Sequence, residues 1–240
     1  MTQSISNSLA ETLHILARAC RILYREGHAD MTLGHMSMRD PDGRGLWLKR
    51  SGISLGEVRG VDDFVLIDFT GRKLAGDGHV HLEWPIHAAI LRRRADVNVV
   101  GHTHPHHACL FAATSETLRA VTHEAAYFAA RTARFEDSAG LIDDLALGGA
   151  LAAAMGDAPV VFMRNHGVTF AGNDIEETTL IGIFLEKACK AQLALGASGI
   201  AYRYSEPTEL EHKRAQLMTR PLIENFWQFY NRELDRGERA

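Results

Sequence analysis

Val97-Asn98-Val99-Val100-Gly101-His102-Thr103-His104, followed by Pro105, is the stretch on which the fold turns. Its β-branched apolar run predicts a strand over residues 97–104, ended by a proline that cannot donate to a ladder. A strand places residues i and i+2 on one face about 7 Å apart, so His102 and His104 present two imidazoles side by side. Two donors do not make a metal site. A second strand, Val160-Val161-Phe162-Met163, runs into Arg164-Asn165-His166-Gly167 and offers a third. A glycine directly after the histidine lets the backbone turn sharply, with the ring exposed at the sheet rim. Three neutral imidazoles leave an open coordination position, the arrangement of a catalytic rather than a structural divalent metal.

Further strands follow on either side. Gly34-His35-Met36-Ser37-Met38-Arg39-Asp40 and Gly45-Leu46-Trp47-Leu48-Lys49 alternate as a hairpin does, with Asp40-Pro41-Asp42-Gly43 as the turn. Phe64-Val65-Leu66-Ile67-Asp68 is another strand, turned by Asp68-Phe69-Thr70-Gly71. Strands of this length without intervening helices predict an antiparallel or mixed sheet. Helical spacing predicts an amphipathic first helix carrying Leu9, Leu13, Leu16, Cys20 and Leu23, a second over residues 83–94, and a long third over residues 175–198. Phe226, Trp227, Phe229 and Tyr230 make the segment at about 220–236 too aromatic for a solvated tail, so it is expected to pack on the body or on a neighbouring subunit. One domain over residues 1–240 is expected, because no composition break or long linker divides the chain.

The 240 residues are 46% hydrophobic, carry a net charge of −4 and show no basic stripe, which argues against nucleic acid and for a small-molecule ligand. The three cysteines, Cys20, Cys109 and Cys189, are far apart and sit in apolar contexts, so reduced core thiols are expected rather than a disulfide framework. The first helix is interrupted by Glu11, Arg18 and Arg21, unlike the apolar core of a signal peptide, and no run reaches the roughly 20 apolar residues of a membrane span. A cytoplasmic protein is expected.

Histidine spacing alone has competitors among the 13 histidines: His79-Val80-His81 is a second such pair and His106-His107 extends the first. The order of the parts discriminates. His81-Leu82-Glu83-Trp84-Pro85-Ile86-His87, then the strand ending His102-Thr103-His104, then Arg164-Asn165-His166-Gly167-Val168 resemble the class II aldolase/adducin family, and the similarity extends over residues 8–200. That resemblance implies an α/β fold of three layers, α/β/α, around a central mixed, largely antiparallel sheet. It also implies assembly, commonly as a homotetramer with active sites between subunits.

Carried over by resemblance, His102, His104 and His166 are the metal ligands, and Glu83 is the catalytic acid/base that also has reach to the metal. Read on its own, Glu83 is more readily a charge favoured by the positive end of a helix than a catalytic group. His87, one turn along, either orients that carboxylate or packs. Zinc is the metal that the resemblance favours, though three imidazoles suit manganese and iron(II) as well.

Sugar-phosphate aldolases of this family hold phosphate with Gly-Asn-X-Ser, Ser-Gly and Ser-Ser segments. Here the first reads Gly34-His35-Met36-Ser37, the second is intact as Ser51-Gly52, and His81-Leu82 replaces the two serines. A phosphate dianion would lose hydroxyl donors, whereas Lys49, Arg50 and His81 are partners for a carboxylate unless the first two are solvated strand-end charges. His35, Ser37, Ser51, Gly52, Arg50 and His81 are therefore the candidate substrate contacts. The phrases Met36-Ser37-Met38-Arg39-Asp40-Pro41 and Leu185-Glu186-Lys187-Ala188-Cys189 resemble the branch containing decarboxylases of hydroxy-aromatic and hydroxypyridine carboxylic acids. The resemblance thus implies a metal-dependent carbon–carbon lyase decarboxylating a hydroxy or keto acid through a metal-stabilised enolate. The alternatives are retro-aldol cleavage of a sugar phosphate and, from the adducin side, a non-catalytic assembly module.

Overall fold

The computed structural model describes residues 6–238. Eight strands form one sheet in the order β4-β3-β2-β1-β5-β8-β7-β6. They are β1 (His35–Arg39), β2 (Leu46–Lys49), β3 (Phe64–Ile67), β4 (Lys73–Ala75), β5 (Val99–Thr103), β6 (Thr132–Phe135), β7 (Val160–Met163) and β8 (Gly167–Gly172). Neighbours run antiparallel except β6, which is parallel to β7. The mixed, largely antiparallel expectation therefore holds, with β4, β6 and β8 added to it.

Alternation along the strands sorts the core into two clusters, one on each face of the sheet. Met36, Met38, Trp47, Val99, Phe162 and Phe170 pack with α1 (Asn7–Leu23), α3 (His106–Ala112) and α5 (Ile175–Ser198). Leu48, Val65, Val100, Val161 and Met163 pack with α2 (Trp84–Arg93) and α4 (Leu145–Met155) on the other face. The result is a helix–sheet–helix sandwich, in which every strand must be apolar on both sides. β1, β2, β3, β5, β7 and β8 are buried on both sides apart from Arg39 at the end of β1, and the polar residues they carry there, among them His35, Ser37, Lys49, His102, Thr103 and Thr169, are buried as well. The aromatic segment is helical: α6 (Pro207–Leu217) and α7 (Arg220–Glu238) follow α5, with Ile223, Tyr230 and Leu234 of α7 buried in the first cluster. It packs on the body, as one of the two expectations had it.

Two elements place the site. In β5, Val100 and His102 face the α2 layer, while Thr103 faces the other way and hydrogen-bonds His28. The pairs His35↔His102 and His102↔Thr169 put β1 and β8 on either side of His102. The start of α2 arrives over the same strand ends and brings Glu83 as the residue before the helix. No helix among the described residues is long and apolar enough to cross a membrane.

Candidate metal centre

His102, on the last turn of the β5 pleat, and His104, just beyond it, lie on the same face, their Nε2 atoms 3.1 Å apart. His166 joins them from the β7–β8 connection. The residue that turns this connection is Asn165, at φ 54°, rather than the glycine after the histidine. Gly167 serves a different purpose: a Cβ there would lie 2.3 Å from the His104 ring and 2.8 Å from the Thr103 carbonyl. Its bare backbone lets β8 approach β5 closely enough for His104 and His166 to share one pocket.

Glu83 completes the group. One ligand atom from each of Glu83, His102, His104 and His166 lies within 4.8 Å of the others. Its carboxylate sits 3.4 Å from Nε2 of His102 and 3.4 Å from Nε2 of His166, and Oε1 accepts from the Ile142 N–H at 3.0 Å. The side chain makes no capping bond to α2, so the helix-charge alternative does not describe where this carboxylate goes. Burial works to raise the Glu83 carboxyl, but ring N–H groups of His102, His166 and His35 directed at it outweigh burial and hold it well below the usual carboxylate range; on the first two rings that proton is the one a cation would displace.

Each of the three imidazoles is anchored through Nδ1. His104 Nδ1 meets Asp30 Oδ2 at 2.7 Å, and His166 Nδ1 meets the Gly140 carbonyl at 3.1 Å. His102 Nδ1 meets Thr169 Oγ1 at 3.1 Å, and the Thr169 hydroxyl itself donates to Met163 Sδ, so the ring nitrogen is the donor. All three anchors are acceptors, which leaves the Nε2 lone pairs converging on one point. Lone pairs of His102 and His104 only 3.1 Å apart repel unless they share a cation or a proton. Three neutral imidazoles backed by outer acceptors, with a carboxylate beside them, are the donor set of a divalent transition metal, and the residues present fit one. His104 is kept neutral to about pH 4, chiefly by burial and then by the field of His102.

Of the substrate candidates, His35 and His81 lie against this cluster. His35 Nε2 is 3.9 Å from Glu83 Oε2, and its ring centroid is 4.2 Å from that of His81. Both Nε2 atoms are buried with no hydrogen-bond partner. Ser37 is fully buried, with its hydroxyl on His87 Nδ1 at 2.7 Å. His87 reaches Ser37 and His35 rather than the Glu83 carboxylate. Arg50 is engaged by Asp63 at 3.2 Å, Ser51 donates its N–H to His79, and Gly52 holds a turn at φ 84°. Lys49 is not a solvated strand-end charge, and its field reaches His81 beside the cluster. It is fully buried, with Nζ on the Thr32 and Ile53 carbonyls, and burial draws it down to about 8. Cys20 and Cys189 are buried and Cys109 is partly so, all three free; burial pushes Cys20 and Cys109 up to about 12, which makes them inert thiols.

Asp30, Thr169, Gly140 and Ile142 are the contacts that sequence reasoning missed. The adjacency of Asp30 to the Gly34-His35 segment was the one signal available, and nothing in the sequence assigns it to His104.

The sequence model described as "Class II Aldolase and Adducin N-terminal domain" matches residues 14–193. A 3,4-dihydroxyphthalate decarboxylase from Arthrobacter keyseri is 29% identical over 201 residues, 78% of this chain and 80% of the relative. An L-fuculose phosphate aldolase from Methanococcus maripaludis is 26% identical over 173 residues, 72% and 91% of the two chains. Among solved structures, an aldolase II superfamily protein from Pseudomonas syringae superposes with a TM-score of 0.86 at 26% identity, covering 97% of this chain and 95% of that one. An L-fuculose 1-phosphate aldolase from Glaciozyma antarctica superposes at 0.83 and 23% identity, covering 98% and 94%. With three quarters of its length inside the family's sequence model, its sheet and helices matching those structures, and its histidines gathered at one strand end, the chain belongs to the class II aldolase and adducin N-terminal domain family.

Proposed function

We propose that this protein is a metal-dependent carbon–carbon lyase that decarboxylates a hydroxy-aromatic carboxylic acid, with His102, His104 and His166 as metal ligands and Glu83 as the catalytic acid/base. The observation that carries the metal reading is the convergence of three Nε2 lone pairs, each ring anchored through its Nδ1. A divalent cation there, zinc before manganese or iron(II), would supply a Lewis acid for the electrons released as the carbon–carbon bond breaks. Glu83 is placed to return the proton. Its Oε1 is held by the Ile142 N–H, and its Oε2, 3.4 Å from His102 Nε2 and 3.9 Å from His35 Nε2, accepts no hydrogen bond among the described residues, so the carboxylate has one anchored oxygen and one left for proton transfer.

Decarboxylation is preferred over aldol cleavage for two reasons. His35, His81 and Leu82 replace the small polar groups a phosphate would need. Exposed apolar side chains also border residues that touch the cluster: Met31 and Leu33 follow Asp30, Leu82 precedes Glu83, and Leu141 lies between Gly140 and Ile142. Such a collar suits an aromatic ring better than a sugar phosphate, and decarboxylases of 3,4-dihydroxyphthalate are among the relatives. His35 and His81 are the proposed substrate contacts, and Ser51, Gly52 and Arg50 form the outer wall. Retro-aldol cleavage is the second reading, favoured by the fuculose phosphate aldolases among the relatives.

The test is product analysis with the zinc-, manganese- and iron-loaded protein, starting from 3,4-dihydroxyphthalate and related hydroxy-benzoates alongside fuculose 1-phosphate. Carbon dioxide from an aromatic acid is expected. Aldehyde from the sugar phosphate overturns the preference for decarboxylation, and a protein that takes up no metal overturns the enzyme reading in favour of an assembly module.

A further inference from the structure

Behind the metal cluster, on the α2 side of the sheet, the proposed substrate contact His35 ends a chain of hydrogen bonds among three buried side chains, whose other two members the proposed chemistry leaves unused. Ser37 Oγ lies 2.7 Å from His87 Nδ1, and His87 Nε2 lies 2.6 Å from His35 Nδ1. All three residues are fully buried. Both rings are fully buried and bonded to each other, and burial disfavours a charged imidazole, so they are neutral and each carries one N–H. In a chain of neutral imidazoles the proton positions are linked: either every bond points toward His35 or every bond points away. The far end, Ser37, makes no other side-chain hydrogen bond among the described residues and does not reach solvent, so the chain has no outlet for a proton and serves as a fixed support.

Its direction is decided at the ends. At one end, His35 Nε2 has no hydrogen-bond partner and faces Glu83 Oε2 at 3.9 Å, about 1 Å beyond a hydrogen bond. An ionised carboxylate accepts only, so a lone pair on Nε2 would face negative charge, whereas an N–H would be drawn to it. The competing pull is the Val100 carbonyl, a neutral acceptor within hydrogen-bond reach of His87 that also belongs to the strand ladder. A charged acceptor outweighs a neutral one. The Ser37 hydroxyl then donates to His87 Nδ1, His87 Nε2–H donates to His35 Nδ1, and His35 presents Nε2–H to Glu83.

We propose that Ser37 and His87 are positioning residues that fix His35 as its Nε2–H tautomer, and that this N–H orients Glu83 for proton transfer. The inference rests on the reading of Glu83 as the acid/base. With the Nε2 atoms of His102 and His166 given over to a cation, the partners left to Glu83 are the Ile142 N–H on Oε1 and His35 on Oε2. The Ile142 N–H bonds Oε1 and the His35 N–H, 3.9 Å away, attracts Oε2 electrostatically; together they hold the carboxylate plane, and a carboxylate that swings loses alignment with the carbon it serves.

Nitrogen-15 NMR of histidine-labelled protein reads the tautomer directly, without substrate or metal, His35 being assigned by its disappearance in His35→Gln. The expected spectrum has His35 Nε2 protonated and Nδ1 bare, and Ser37→Ala or His87→Phe converts it to a mixture. Turnover of 3,4-dihydroxyphthalate by the metal-loaded variants should fall about tenfold in kcat, with KM and metal affinity within twofold. In a His35→Gln background, where the amide carries its own N–H and has no tautomer to set, the same changes should cost nothing further. A wild-type His35 protonated at Nδ1 overturns the proposal, as does an equal loss in both backgrounds or a loss of metal in Ser37→Ala, which removes a single oxygen and spares the fold. Failure of the acid/base reading shows elsewhere, as undiminished turnover in Glu83→Gln, and leaves the tautomer result standing.

Discussion

His104 owes its orientation to Asp30, 74 positions upstream, whose carboxylate accepts a hydrogen bond from Nδ1–H at 2.7 Å. A charged acceptor behind a ligating imidazole raises its basicity and fixes its tautomer. Asp30→Asn keeps an acceptor and removes the charge, so metal affinity should fall by roughly 10- to 100-fold in chelator competition while thermal stability stays near that of the parent. An unchanged affinity would make Asp30 a loop contact only. Glu83 calls for the opposite pattern: Glu83→Gln should retain metal while turnover falls about 10²-fold or more, whereas His102→Ala, His104→Ala and His166→Ala should lose the metal and activity together. Metal content and rate on the same four preparations decide between a base and a fourth ligand, since a Glu83→Gln protein without metal assigns the carboxylate to the cation. The convergence of His102 and His104 was legible because a strand's period of two is a local property. Asp30 and Thr169 were not, since contacts made across the sheet leave no local trace in a single sequence.

Among the elements, β8 does the most to assemble the centre, and it was invisible as a strand: Gly167-Val168-Thr169-Phe170-Ala171-Gly172 begins and ends in glycine and contains no sustained apolar run. Two of the three glycines in β5 and β8 are there for closeness within the pair, Gly101 because a Cβ would lie 2.4 Å from the Phe170 ring and Gly167 because it would strike His104. Gly167→Ala should therefore displace His104 and open the β5–β8 pair, lowering metal affinity and destabilising the fold by about 1–3 kcal/mol. Denaturant unfolding with a parallel metal titration reads both, and a variant with normal affinity would show that β8 can shift without disturbing the ligands. α4 escaped notice for a related reason: Leu145–Met155 is rich in Gly and Ala and carries almost no amphipathic stripe, so its helix is determined by packing on α2 rather than by pattern. α1, with a well-marked apolar face, was readable from its first turn.

At the scale of the whole molecule, an unusual number of buried neutral histidines should make the metal-free protein acid-sensitive. His28 and His81 are drawn from 6.5 to about 4, burial being the main cause in both, and His35 and His87 lie well below the ordinary value. In the unfolded chain these groups take up protons as pH falls through 6.5, while the folded protein resists until about 4. Stability is therefore complete above that window and drains away on descending through it, by roughly 3 kcal/mol for His28 alone. Equilibrium unfolding between pH 8 and 4.5 should show this slope, and a flat profile would mean the rings are solvated. The same region of the surface carries the strongest argument about assembly. Met31 is 75% exposed, Leu82 68% and Leu141 52%, and each adjoins a residue that touches the metal cluster. Each lies next in sequence to a residue of the cluster or of its contacts, and exposed apolar residues so placed are where the proposed assembly would bury surface. A substrate ring is too small to cover all three, and the family resemblance supplies the expectation of a tetramer with sites between subunits. A charge placed in the collar should then break the assembly and the site together. Leu82→Glu combined with Met31→Glu is expected to give a folded monomer by light scattering, with metal still bound, because the ligands all come from one chain. Its turnover should fall sharply, and a monomeric variant with parental turnover would show that each chain carries a complete active site.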